Sequence, residues 1–503
     1  MPSLGKKMAK GAAWMVLFKL VERSLGLIST LVLARLLVPA DFGIVAMATS
    51  VIAVLELLSG FSFDIALIQK QDAERRHYDT AWTLNILTWG AMAVLMIAAA
   101  APMAAFYREP RVEHVLYALA IGIFATGFEN IGIVAFRKEL TLNKDFYFLV
   151  TKKFVAAATG IAVALIFRSY WALVAGMVTS RVLGAALSYF VHPFRPRFSL
   201  AGARELLHFS RWLFVLSVQG AVISRAADFI VGRIAGPTAL GVYNLGQEIS
   251  NLPTTELVQP ISRALFPGYA RMAHDQGELR RGFLSVVSLL ALLAVPAAAG
   301  IAVLANPLVN VLLGRKWLDV IPVIGVLAPY GLLMALYTTA MHLFIASGRA
   351  KTVTWLAMIQ LAVLLPGLVL GVRWGGAVGA AYGALATASV MVPVTYAWTL
   401  RVIGARVNDY ARLFWRPLLG AAAMTACVTL WIRWLDAAGF DAAHLIAALT
   451  SVCLGAAVYG LSVLLLWRLA GMPSGAESDL LAMARAKLRS AAAEPGGAGG
   501  DAG

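Results

Sequence analysis

Ala34-Arg35-Leu36-Leu37-Val38-Pro39-Ala40-Asp41-Phe42-Gly43-Ile44-Val45-Ala46-Met47-Ala48 has a second version 198 positions later, Gly232-Arg233-Ile234-Ala235-Gly236-Pro237-Thr238-Ala239-Leu240-Gly241-Val242-Tyr243-Asn244-Leu245-Gly246. Arg35/Arg233, Pro39/Pro237 and Gly43/Gly241 are identical, and most other pairs exchange one apolar or small residue for another. The same offset pairs Trp14 with Trp212, Ala66 with Ala264 and Leu67 with Leu265. Both copies stand where one long apolar run ends and the next begins. An internal repeat within a series of hydrophobic spans is a common build for transporters.

Composition agrees. Of 503 residues, 60% are hydrophobic and 14% charged, with a mean hydropathy of +0.79. Water cannot be the solvent for that much apolar surface, so most of the chain is expected in lipid. Runs long enough to cross about 30 Å of hydrocarbon lie at about 12–36, 42–67, 80–105, 114–136, 147–167, 170–191, 209–234, 238–267, 283–305, 320–347, 353–372, 376–400, 417–435 and 444–467. The expected fold is therefore an all-α polytopic membrane protein of about fourteen transmembrane helices. Lys6, Lys7 and Lys10 resemble the start of a signal peptide. The run after them carries Lys19, Glu22 and Arg23 and is too long for one, so it reads as a retained first span.

The net charge of +16 does not point to nucleic acid, because the basic residues are scattered over short loops. With the N-terminus cytoplasmic, and span ends counted with the loops they adjoin, 28 of the 42 Lys and Arg fall on the cytoplasmic side. Nine fall on the opposite side and five inside spans. That threefold bias supports the span count and places both termini in the cytoplasm. Six spans separate the two copies of the repeat, so both run the same way through the membrane and the lobes are parallel repeats. The expected organisation is an N-terminal lobe (1–191), a cytoplasmic connector (192–208) and a C-terminal lobe (209–402) around a central cavity. Two extra spans (403–470) and a cytoplasmic tail (471–503) follow. The tail holds a possible surface helix from Asp479 to Arg489 and a disordered, Gly/Ala-rich end.

Charges inside the spans carry the functional signal: Lys19, Arg23, Arg181, Arg225 and Arg263, with Glu22, Glu56, Asp64, Glu129, Asp228, Glu248 and Glu256. A charge at mid-membrane costs about 2.5–3.5 kcal/mol on insertion scales. Twelve facing lipid would exceed the net stability of a fold, so they must pair, reach an interface or line water. Lys19, Glu22, Arg23, Gly26 and Thr30 share one helical stripe; Ser217, Ala221, Ser224, Arg225, Asp228 and Gly232 share another. Asn244, Glu248, Asn251, Thr255 and Gln259 form a third, with Pro253 expected to kink it. Such stripes suit a water-filled cavity between lobes. Lys19, Arg23, Arg181 and Arg225 are candidate contacts for an anionic headgroup. Asp64, Asp228 and Glu248 are candidates for a coupling ion or proton, and Glu22, Thr30, Ser224, Asn244 and Asn251 for cavity lining. Structural pairing of Lys19 or Arg23 with Glu22, and of Arg225 with Asp228, stays open beside this reading. Arg35 and Arg233 read as snorkelling span ends, and Trp82, Trp171 and Trp355 as interface anchors.

No catalytic or metal constellation is legible. Six of the seven histidines lie near loop ends, and His342 has no paired carboxylate or metal spacing. Cys427 and Cys453 are isolated, and there is no P-loop.

The segment KGAAW…LARLLVPADFGIVAMATSVIAVLELLSGFSFDIALIQK, ending at Lys70, resembles polysaccharide exporters of the multidrug/oligosaccharidyl-lipid/polysaccharide superfamily. So does FSRWLFVLSVQGAVISRAADFIVGRIAGPTALGVYNLGQEISNLPTTELVQPISRALFPGYARM, starting at Phe209. The likeness is to the Wzx-type flippases of the lipopolysaccharide and exopolysaccharide branch and covers about residues 5–470. It implies translocation of undecaprenyl-pyrophosphate-linked oligosaccharide across the bacterial inner membrane by alternating access. It further implies a proton or sodium gradient as energy source, no other cofactor, and polymerase and export proteins as partners. Competing readings are a lipid II flippase, a drug/cation antiporter, or a membrane-embedded polymerase or acyltransferase.

Overall fold

The computed structural model describes residues 4–58, 63–69, 72–139, 141–201, 203–252, 268–269, 271–272, 274–438, 445–473 and 475–478, and among these there are helices and no strand. In chain order the helices are α1 (Leu4–Leu36), α2 (Pro39–Leu58), α3 (Phe63–Gln69), α4 (Arg75–Tyr107), α5 (Arg111–Gly127), α6 (Val134–Lys138), α7 (Leu142–Phe167) and α8 (Trp171–Val191). They continue with α9 (Ala203–Ser250), α10 (Gln276–Val303), α11 (Ala305–Leu312), α12 (Val320–Ala346), α13 (Ala350–Ile403), α14 (Val407–Ala437) and α15 (Leu445–Leu469). The expected tail helix at Asp479–Arg489 lies outside the described residues.

Nine of the described helices are long and apolar enough to cross a membrane, so the chain is an all-α, multi-pass membrane protein. Two long helices each join two of the expected runs, α13 holding 353–372 and 376–400 and α9 holding 209–234 and the start of 238–267. A straight α13 of 54 residues would reach about 80 Å at 1.5 Å per residue. Instead Gly376 takes φ 55° beside a non-helical Gly375, and the helix doubles back until Gly371 and Gly379 lie against each other's carbonyls. No side chain fits there, and close glycine faces hold helices together in lipid. In α9 the break is Gly236, at φ 80°, directly before Pro237. The run at 114–136 is interrupted too. Asn130 stops it: its Oδ1 accepts from Gly132 N at 2.9 Å and its Nδ2 donates to Phe194 O at 2.7 Å. A 3-10 turn, Ile131–Ile133, and α6 follow, bent 64° from α5.

The chain forms two compact units. The first comprises Met1–Asn244, Leu312–Trp317 and Leu368–Ala380. In it α4 packs on α5, α7 on α8 and on α1, and α5 on α8. Gly160 and Gly176 allow the α7–α8 approach: a Cβ on Gly176 would stand 2.9 Å from Ala156 O. The segment after α8 is strapped down, with Arg197 N donating to Asp79 Oδ1 at 2.9 Å and Ser199 N to Thr83 Oγ1 at 3.0 Å. That strap buries Trp82 beneath Phe198, ring centroids 5.0 Å apart. Trp82 is thus a core residue, not the expected interface anchor; Trp355 does stay exposed.

The repeated segments also lie in this unit. Gly43 packs on the backbone of Pro237, and Gly241 on the backbone of Pro39. The Nε of the exposed Arg35 donates to Leu312 O at 2.9 Å. Arg233 lies over the Phe106 ring at 5.6 Å. The two copies make their turns differently. Asp41 accepts from Val38 N at 3.1 Å, whereas the second copy has Ala239 at that position and relies on Gly236.

The second unit comprises Leu245–Val311, Leu318–Gly367 and Ala381–Gly503. Helix α10 is its centre, packing on α12 and α14, and α14 pairs with α15. Phe283, Leu290, Leu343 and Phe344 are fully buried there. Tyr396 joins this core between Phe283 at 6.2 Å and Tyr410 at 4.9 Å. Arg416 and Glu477 form a buried ion pair at 2.8 Å.

Candidate functional site

A cavity of about 660 Å³ opens in the first unit, walled by α2, α3, α4, the α5–α6 bend and α7. Each element brings charge or hydrogen-bonding capacity into an otherwise apolar surrounding. Glu56 comes from α2, Asp64 from α3, Asn85, Thr88 and Trp89 from one face of α4, and Glu129 from the end of α5. Arg137 on α6 and Asp145 and Lys152 on α7 complete the ionisable set.

Most of these charges are paired. Arg181 of α8 reaches Glu56 at 3.1 Å and Thr126 Oγ1 at 3.4 Å, with the Trp89 ring 6.0 Å from its guanidinium. Lys152 meets Glu129 at 3.3 Å and sits 5.1 Å from the Phe148 ring centroid. Arg137 holds the buried Asp145 at 3.1 Å. Two cations thus each lie between a carboxylate and an aromatic face, an arrangement that offsets their desolvation. Asp64 makes no hydrogen bond or ion pair among the described residues, and neither do the side chains of Asn85 and Thr88. The cavity therefore carries one carboxylate in excess of its cations, together with an amide and a hydroxyl that are uncommitted.

The remaining candidates lie on α1 and α9. On α1, Lys19 pairs with Glu22 at 3.0 Å, and Lys153 of α7 approaches the same carboxylate at 3.8 Å. Arg23 and Thr30 lie half-buried on that helix. On α9, Arg225 pairs with the buried Asp228 at 3.2 Å, and the Asn244 amide bonds the same carboxylate. Ser224 is exposed one residue away. Glu248, exposed, and Asn251, half-buried, close α9 in the second unit. Pro253, Thr255, Glu256, Gln259 and Arg263 lie outside the described residues, as do the side chains of Trp212, Ser217 and Ala221.

The structure thus gathers Asp64 and Arg181 around one cavity with Glu56 and Glu129, and pairs Lys19 and Arg225 within their own helices. Reading the sequence missed Asn85, Thr88, Arg137, Asp145 and Lys152 as neighbours of that cavity. Asn85 carried a signal, being a polar amide inside an apolar run. The Glu129–Lys152 and Arg137–Asp145 pairs carried none, because they depend on the bend at Asn130. Among the described residues no three His, Cys, Asp or Glu side chains gather to hold a metal.

The fold is that of helical multi-span transport proteins. A solved lipid II flippase, MurJ, in an inward closed conformation, superposes with a TM-score of 0.72 at 13% identity, covering 90% of this chain and 99% of that one. The chain belongs to the polysaccharide biosynthesis protein family, whose model matches residues 32–322. It is 25% identical over 424 residues to the lipopolysaccharide biosynthesis protein WzxC of Escherichia coli, covering 82% of this chain and 85% of that protein. It is 24% identical over 498 residues to the succinoglycan biosynthesis transport protein ExoT of Rhizobium meliloti, covering 98% of each.

Proposed function

We propose that the protein is a flippase that moves undecaprenyl-pyrophosphate-linked oligosaccharide across the bacterial inner membrane by alternating access, supplying repeat units for polysaccharide assembly. Cations and carboxylates held at membrane depth, on a chain of the polysaccharide biosynthesis family, carry this reading. Burying such pairs is costly, and ionisable residues kept at that depth mark substrate and ion pathways. Lys19, Arg23 and Arg225 are the headgroup contacts, the two guanidiniums matching phosphate oxygens in a bidentate fork and the Lys19 ammonium acting as a point charge; Arg181 joins when Glu56 releases it. Asp64, Asp228 and Glu248 take up the coupling proton or sodium ion. Both termini face the cytoplasm, and the polymerase and export proteins act on the product outside.

The test is where the intermediate accumulates. Cells lacking the protein should retain lipid-linked repeat units in the inner leaflet, and Arg23→Gln/Arg225→Gln should reproduce this with normal amounts of protein in the membrane. Normal polymer export by that variant would remove the headgroup assignment. Unmodified or single-unit product on the outer surface would indicate a polymerase or acyltransferase. Lethality in place of loss of polysaccharide would indicate a lipid II flippase, and drug sensitivity alone an antiporter.

A further inference from the structure

The charge balance of the α2–α7 cavity separates it from any site for pyrophosphate. Its three cations are each matched by a carboxylate, Arg181 by Glu56, Lys152 by Glu129 and Arg137 by Asp145, whereas on α1 and α9 the candidates Lys19, Arg23 and Arg225 outnumber Glu22 and Asp228. What remains in the cavity is Asp64, which offers an anion no attraction. Asn85 and Thr88 are different. An amide has two donors and an acceptor, and a hydroxyl can serve as either. Both lie half-buried on the cavity face of α4 with no hydrogen bond among the described residues, so their polar atoms are open to a ligand. The half-buried ring of Trp89 lies on the same face of α4. Uncommitted amide and hydroxyl groups, an acidic acceptor and an aromatic surface together suit a ring that is hydroxylated at its edge and has C–H groups on its faces.

We propose that this cavity is the sugar-recognition subsite, with Asn85 and Thr88 bonding hydroxyls of the oligosaccharide while the pyrophosphate stays on the α1 and α9 cations. A volume of about 660 Å³ falls within the range of small-molecule pockets, about 300–1,000 Å³, enough for a short saccharide. The ligand class rests on the flippase reading above. The division of labour makes Asn85 and Thr88 specificity determinants, and it predicts that sugar and headgroup binding can be impaired separately.

The test uses the purified full-length protein in lipid nanodiscs, with affinity read from thermal shift. The probes are the oligosaccharide released by mild acid from the producing cell's own lipid-linked repeat units, inorganic pyrophosphate, and sodium chloride against choline chloride. Asn85→Leu/Thr88→Val keeps side-chain size while removing the polar groups, and Thr88→Val alone is an isosteric second variant. Wild type should bind the oligosaccharide. The double variant should bind it at least about tenfold more weakly, the loss of roughly one hydrogen bond, with Thr88→Val intermediate and pyrophosphate binding unchanged. Equal sugar affinity in the variants, no sugar binding by wild type, or an Asn85-dependent sodium response without a sugar response would each overturn the proposal. Failure of the flippase reading is distinct: lipid-linked units would not accumulate in cells lacking the protein, even if sugar binding still depended on Asn85 and Thr88.

Discussion

Gly43 lies against the carbonyl of Pro237, and the repeat returns the contact, with Gly241 against the carbonyl of Pro39. Each copy of Arg-x3-Pro-x3-Gly supplies a glycine to the other's proline, which explains why these positions stay identical while their neighbours drift. Gly43→Ala or Gly241→Ala would drive a methyl group into backbone, an overpacking cost of about 1–3 kcal/mol or more. We expect lower melting temperatures and reduced export for both. Gly26→Ala on α1, where nothing lies within 4 Å, should leave stability unchanged or raise it by up to about 1 kcal/mol.

Trp317 donates its indole N–H to Ala34 O at 2.7 Å and meets the Phe42 ring edge-on at 5.2 Å. Trp317→Phe keeps an aromatic ring but leaves a buried carbonyl without its donor, costing about 1–3 kcal/mol. Thermal unfolding in detergent should show the loss, and Trp317→Leu should lose more.

Arg416 and Glu477 are both nearly inaccessible and 2.8 Å apart. Glu477→Ala would strand a buried guanidinium, and breaking such a pair costs about 3–5 kcal/mol. Arg416→Met/Glu477→Leu should recover most of the stability, since a well-packed apolar pair replaces a desolvated ionic one. A double variant no more stable than Glu477→Ala would show that the pair contributes more than mutual neutralisation.

Between α4 and α5, Arg111 grips Glu109 through two bonds of 2.7 and 2.8 Å. This holds the Glu109 carboxyl below the usual carboxylate range, the hydrogen bond from Arg111 being the largest cause and burial opposing it. A depressed folded-state value means that the stabilisation is complete above the unfolded-state value of about 4.3. It is lost as pH falls through the lower, folded value. Glu109→Gln should therefore lower the melting temperature at pH 7 and flatten its acid-side decline, measured between about pH 3 and 7.

Several features of the fold are legible in the sequence. Where they are described, the apolar runs fall mainly on helix, with the run at 114–136 broken at residues 128–130, and the repeat marks two segments that meet. Gly236 and the Gly375–Gly376 pair stand at run boundaries, where a helix must turn. The break at Asn130 was not legible, because it depends on Phe194 and Ser188, more than fifty positions away in the chain. Trp82 was misread for the same reason: the strap that covers it comes from the far side of α8.

Hydropathy, loop charge and the repeat are properties of composition along the chain, and lipid responds to them locally, span by span. They were enough to establish a multi-span helical protein and to single out charges that lipid could not accept unaided. Which charges satisfy one another is a question of distances of a few ångströms between helices, and no periodicity encodes that. The folded chain spends Arg181, Lys152 and Arg137 on Glu56, Glu129 and Asp145, and leaves Asp64, Asn85 and Thr88 facing one cavity. An ion pair's energy falls off with separation and a hydrogen bond forms only within about 3.5 Å, so those assignments exist only once the helices have packed.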